Sequence, residues 1–112
     1  MQQDDRLYLG HMLDMARKAC GRVIELDKAD YDADEDVRLA LIHLVQVIGE
    51  AARKVSLEAQ LALPEIPWRE IIGMRNRIVH DYLGVDEDVV WEVVAFDLPS
   101  LVVVLERVVP ED

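Results

Sequence analysis

Apolar residues recur along this chain at steps of three and four, the spacing of one face of an α-helix and not the alternation of a strand. Leu9, Leu13, Ala16, Cys20 and Ile24 form one such stripe, which predicts a first helix over 5–26. Val37, Leu41, Leu44, Ile48, Ala51 and Val55 form a longer seam and predict a second over 34–55. Gly49 interrupts that seam. An interior glycine weakens a helix by about 1 kcal/mol against alanine, so its presence suggests that another helix approaches closely there. Pro67 suits the first turn of a third helix over 68–82, and Gly84 is a natural stop. Asp86, Glu87 and Asp88 place negative charge at the entry to a fourth helix over 89–97. Pro99 then kinks that helix or restarts it as a fifth, ending near Val108. The valine-rich stretch from Val89 lacks sustained alternation, so it reads as helix despite its β-branched composition. Two segments read as connections. One is the acidic run over 25–36, whose later acids would cap the second helix, and the other spans 57–66. The expected fold is all-α, an antiparallel bundle of four to five helices.

Length and charge refine this picture. At 112 residues, 1–112 is expected to form a single domain, and 52% apolar residues can fill its core. A formal net charge of -11 disfavours broad, non-specific coating of nucleic acid or docking on an anionic membrane. The distribution softens that exclusion. Between Glu50 and Arg77 the bases Arg53, Lys54, Arg69, Arg75 and Arg77 slightly outnumber the acids. A confined cleft that gathers a few positive groups around one phosphate is therefore compatible with an acidic exterior. Cys20 has no partner cysteine, and Cys/His spacings for zinc are absent. The first residues lack the pattern of a secretory leader, and Leu101–Leu105 is far too short an aliphatic run to span a bilayer. A cytoplasmic protein with no membrane partner is expected.

The densest polar cluster set in apolar sequence is Arg75-Asn76-Arg77-Ile78-Val79-His80-Asp81-Tyr82. Asn76 and His80 lie one helical turn apart, so the amide could orient the imidazole. Arg75 and His80 are separated by about 140° and ~7.5 Å of rise, so a shared target must lie between them. Two copies facing each other in a symmetric dimer would remove that difficulty. Arginine grips phosphate bidentately, and histidine is the side chain that exchanges protons near neutral pH. Together they suit cleavage of a phosphodiester by an adjacent ribose 2′-hydroxyl, with no metal or other cofactor required. The same residue types also serve bland roles: Arg77 and His80 can complement a helix C-terminus, and Arg75 can be solvated or pair with an acid. His11 and His43 have no comparable neighbours and read as core or surface packing, while Arg53 and Lys54 could extend a basic patch but read first as solvated helix residues. Trp68 and Trp91 read as anchors of the core or of an interface.

At these positions the sequence resembles the HEPN superfamily, and within it the HepT-type toxins of bacterial toxin–antitoxin pairs. The Arg-x4-His-x-Tyr pattern is matched by Arg75, His80 and Tyr82, with Asn76 after the arginine. The flanks Ile48-Gly49-Glu50-Ala51-Ala52, Pro64-Glu65-Ile66-Pro67-Trp68 and Asp97-Leu98-Pro99 are similar to the same group. The resemblance implies a HEPN-like homodimer acting as a metal-independent endoribonuclease of a type II/VII-like toxin–antitoxin system. In that reading Arg75 and His80, supported by Asn76, form a composite site in the dimer cleft that cuts RNA, tRNA or mRNA, with no DNA substrate expected. It also implies a cognate MntA-type nucleotidyltransferase antitoxin that transfers AMP to Tyr82. The alternative from a different class is a non-catalytic helical subunit that binds nucleotide or steers a nucleotidyltransferase.

Overall fold

The computed structural model describes residues 2–110 and is all-α among them. The two long early helices are α1 (Gln3–Val23) and α3 (Glu35–Ala52), which pack extensively on each other. Ala16 and Ala19 on α1 and Ala51 and Ala52 on α3 are all buried. The buried face of α1 is rotated from the expected stripe. It runs through Leu9, Met12, Leu13, Ala16 and Ala19, while Cys20 is half-buried. Ile24 falls outside: α1 ends at Val23, and Ile24 is its 82% exposed cap residue.

Both segments read as connections contain a short helix. In the acidic run, α2 (Lys28–Ala33) is capped by Asp27, whose side chain accepts from the Asp30 backbone N–H. Tyr31 explains why this acidic stretch folds. Its ring is fully buried, its centroid lies 5.0 Å from that of Trp91, and its hydroxyl donates to the Glu87 carbonyl at 2.7 Å. Desolvation, with the Glu87 charge adding to it, pushes the phenol pKa up to about 12. Arg38 donates to the Tyr31 and Asp32 carbonyls and pairs with Glu87, and Lys28 bridges Asp32 and Asp88 at 2.7 Å each. The run is thus anchored through one buried aromatic and two bridging cations. Asp34 does cap α3, as its position suggested, accepting from the Val37 N–H at 3.2 Å.

In the second connection, α4 (Leu57–Ala62) begins at Ser56, whose hydroxyl accepts from the Ala59 N–H. Buried Asp5 ties this cap back to the start of α1. Its carboxylate accepts from the Ser56 N–H and hydroxyl, each at 2.7 Å, and from the Gln2 N–H at 3.0 Å. Trp68 is buried at the start of α5 (Trp68–His80), with its indole N–H donating to the Leu63 carbonyl at 3.0 Å.

The last helical rod is built from α6 (Glu87–Glu92), a π-helical turn (Val93–Asp97) and α7 (Leu98–Val108), which follow without a break. Pro99 is the physical reason for the wider turn. It has no N–H to offer the Ala95 carbonyl, and a tight helix would drive its ring into that carbonyl. In the π turn the Leu98 N–H reaches back to the Val93 carbonyl instead. The rod therefore runs on past Pro99 without a gap, and Val90, Val94, Leu98, Leu101 and Leu105 all stay in the core.

Candidate functional site

The site is built on α5 where it crosses α3. Ile78 of α5 is fully buried, and Ile71, Ile72 and Met74 pack at the core margin. Arg75 sits at the crossing itself. A Cβ added to Gly49 would lie 2.2 Å from the Arg75 Cβ and 3.0 Å from the Ile71 carbonyl oxygen, so only glycine permits this approach. The glycine in the second seam thus exists because the arginine-bearing helix lies against it.

Close approach fixes where the guanidinium emerges, and two neighbours fix how it is turned. Arg75 Nε donates to Glu50 Oε1 at 3.2 Å, and Nη1 donates to Asn76 Oδ1 at 3.0 Å. The Arg75 side chain is only 15% exposed, against 37% for Glu50. Burial pushes the Glu50 carboxyl upward, yet hydrogen bonds from Arg75 and Gln46 and the charges of Arg75 and Arg53 outweigh it. The group is held below the ordinary glutamate value. It is therefore an anion at neutral pH, holding Arg75 Nε while Asn76 holds Nη1, and Nη2, with no hydrogen-bond partner among the described residues, is left to meet an incoming anion.

The expected contact between Asn76 and His80 is not made. The Asn76 amide oxygen is taken by the adjacent guanidinium, so Asn76 orients Arg75 instead. His80 occupies the last turn of α5, exposed and with no hydrogen-bond partner among the described residues. Within one chain Arg75 and His80 are not brought into contact. The helix stops two residues before the expected end, at the Asp81 C-cap, whose N–H bonds the Arg77 carbonyl at 2.9 Å. A 3₁₀ turn (Tyr82–Gly84) follows, and Asp81 accepts from the Gly84 N–H at 3.2 Å. A Cβ on Gly84 would collide with the Asp81 carboxylate at 2.2 Å, which explains the glycine. Tyr82 is 48% exposed at the head of this turn, and Leu83 projects fully into solvent.

Glu50 is the residue that the sequence pattern did not single out. Its signals were adjacency to Gly49, where a close helix approach was already expected, and its place in the Ile48–Ala52 flank that resembles the HepT group, and neither gave it a role. Among the described residues no three His, Cys, Asp or Glu side chains gather as a metal site. No helix among them is long and apolar enough to cross a membrane.

Residues 12–108, which include the whole of α5 and the turn after it, match the family described as Ribonuclease HepT-like. The chain belongs to the HepT-like ribonuclease family. It is 40% identical over 72 residues to "Probable ribonuclease HepT" of Thermococcus cleftensis, covering 64% of this chain and 66% of that one. It is also 31% identical to "Putative RNase TTE0752" of Caldanaerobacter subterraneus subsp. tengcongensis, over 86% of each chain. A third relative is "Putative RNase MJ1380" of Methanocaldococcus jannaschii, 28% identical over 89% of this chain and 92% of its own. No solved structure matches the chain. The all-α HepT-like fold agrees with the HEPN resemblance of residues 48–99.

Proposed function

We propose that this HepT-like protein is an endoribonuclease that cleaves RNA without a metal ion, with Arg75 and His80 as catalytic residues and Asn76 in support. The observation that carries this reading is the guanidinium of Arg75, nearly buried, oriented by Glu50 and Asn76, on the helix that ends in an exposed His80. In the reaction the ribose 2′-oxygen attacks the adjacent phosphorus, forming a P–O bond as the bond to the 5′-oxygen breaks. One base removes the 2′-hydroxyl proton and one acid protonates the leaving 5′-oxygen. The products are a 2′,3′-cyclic phosphate and a 5′-hydroxyl. Arg75 holds the non-bridging oxygens and offsets the charge that builds on them. Two proton carriers are needed, and a homodimer supplies them as two copies of His80 facing one cleft.

The same reading makes the protein a toxin whose RNA target is tRNA or mRNA. Its antitoxin is a nucleotidyltransferase of the MntA type that transfers AMP to Tyr82. The exposure of the Tyr82 ring at the head of a short turn supports its reach by another enzyme. An AMP group there adds negative charge and bulk close to the end of the catalytic helix, which opposes an incoming phosphate chain.

The test is cleavage of total tRNA by the purified full chain in EDTA. Activity lost in His80→Ala and kept in His43→Ala supports the enzyme. A folded wild-type dimer that leaves the RNA intact overturns it in favour of a binding subunit. Intact mass after incubation with the partner nucleotidyltransferase and ATP should rise by AMP units, and Tyr82→Phe should abolish the gain.

A further inference from the structure

A groove between α1 and α3 shares a wall with the arginine site. Tyr8, His11 and Asp14 of α1 face Glu50 and Ala51 of α3 and Lys54 of the turn that follows it. The hollow measures about 380 Å³, within the roughly 300–1,000 Å³ of small-ligand pockets. Glu50 joins the two places. One of its carboxylate oxygens holds Arg75 Nε, and the same side chain lines the groove. A larger hollow of about 480 Å³ between α3, α5 and α7 carries acids at its rim but no cation or histidine, and suits a polyanion poorly.

The chemistry of the smaller groove is that of a nucleotide contact. Tyr8 and His11, three residues apart on one helix face, meet edge to face with centroids 6.2 Å apart and planes at 78°. The Lys54 ammonium lies 5.6 Å from the Tyr8 ring centroid, which covers that ring and leaves the exposed His11 ring as the stacking surface. Lys54 and the neighbouring exposed Arg53 supply positive charge beside the groove. Asp14, one turn along from His11, is exposed and has no hydrogen-bond or ion-pair partner among the described residues. A carboxylate accepts hydrogen bonds only, so it selects for donors.

We infer that this groove is a nucleobase subsite for the nucleotide adjoining the scissile phosphate. The base stacks on His11, Lys54 meets a flanking phosphate, and Asp14 accepts from an exocyclic amino group. Adenine, cytosine and guanine carry that group and uracil does not, so uracil is the disfavoured base. The inference rests on the ribonuclease reading and extends it to α1, a helix that holds none of the motif residues.

The experiment titrates the full chain against fluorescein-labelled 2′-O-methyl oligonucleotides, which cannot be cleaved, and reads anisotropy. The probes are oligo(A), oligo(C), oligo(U) and an abasic backbone of equal length. Wild type should bind oligo(A) about tenfold more tightly than the abasic chain, the scale of stacking one base on an aromatic side chain. His11→Ala should remove that advantage, and His43→Ala should keep it. Asp14→Ala should narrow the preference for oligo(A) and oligo(C) over oligo(U), and Lys54→Gln should weaken all four probes alike. Equal affinity for oligo(A) and the abasic chain, or an advantage that survives His11→Ala, overturns the subsite. Cleavage of total tRNA by the same wild-type preparation separates the two claims. Cleavage without base-dependent binding overturns the subsite alone, whereas base-dependent binding without cleavage overturns the ribonuclease reading, and with it the subsite's place beside a scissile phosphate, while the groove stands as a nucleobase site.

Discussion

Gly49→Ala puts the crossing of α3 and α5 to a direct test. Alanine should favour α3 by about 1 kcal/mol on helix propensity alone. Against this, the new Cβ would lie 2.2 Å from the Arg75 Cβ. Carbon atoms in contact sit about 3.5–4.0 Å apart, so the two helices would have to separate by roughly 1.5 Å. The Arg75 Cβ is fixed to its backbone and cannot rotate away, unlike the tip of a long side chain. Overpacking of this kind costs about 1–3 kcal/mol, and the depth of this overlap places it near the upper end. The net loss is then about 2 kcal/mol, or about 8 °C in melting temperature for a chain of this size. Thermal unfolding followed by circular dichroism measures it, with Gly21→Ala as the control. A Cβ at Gly21, on the exposed face of α1, meets nothing within 4 Å, so that variant should gain a fraction of the propensity term. RNA cleavage by Gly49→Ala should fall as well, because the separation carries Arg75 with it. A Gly49→Ala protein as stable as Gly21→Ala, with undiminished cleavage, would refute the reasoning.

Three further outcomes follow from particular contacts. Glu50→Gln keeps an acceptor for Arg75 Nε but removes the charge, and Glu50→Ala removes both. Cleavage should fall in that order, by on the order of 10- to 100-fold for alanine, chiefly in kcat, while melting temperature changes little. Asp5 is held below its ordinary value of 3.8 chiefly by the Ser56 N–H and hydroxyl, with the Gln2 N–H adding and burial opposing. Its stabilisation is therefore complete above the ordinary aspartate range and is lost as pH falls through the lower, folded value. Asp5→Asn should melt lower than wild type at neutral pH, and the gap should close under strongly acidic conditions. Tyr31→Phe removes the part-buried hydrogen bond from the phenol to the Glu87 carbonyl and should cost about 1 kcal/mol in urea unfolding, with an unchanged m-value.

Periodicity carried the long helices because their faces are set by many residues at once. The seam from Leu41 to Val55 and the run from Trp68 to His80 were legible for that reason. It failed where one residue outweighs its neighbours. Tyr31 sits among seven acids, and no average over that window reveals that its ring enters the core. Ile24 continues a perfect spacing, but the helix beneath it ends one residue earlier, and spacing carries no stop signal. Arg75, Asn76, His80 and Tyr82 were recognisable by type and order, whereas Glu50 lies 25 residues from Arg75 and becomes its partner only through the crossing of two helices. Asn76 was paired with the wrong neighbour because helix geometry names every residue within reach and cannot say which takes the amide first. Lys54 was visible only as one base of a positive stretch and His11 not at all, because a groove between two helices has no representation along either one.

The π turn before Pro99 has a consequence for the length of the chain. A helix advances about 100° per residue, and a π turn takes up one residue beyond what an α-helix needs over the same span. Leu101 and Leu105 hold their places in the core with that extra residue absorbed upstream. Winding the same residues as plain α-helix would swing both leucines about 100° away, whereas deleting one residue from the turn would leave them where they are. The deletion would then press Pro99 against a tight helix, so it becomes tolerable only together with replacement of that proline. The final rod is in effect a helix carrying one supernumerary residue, and the proline is what keeps it there.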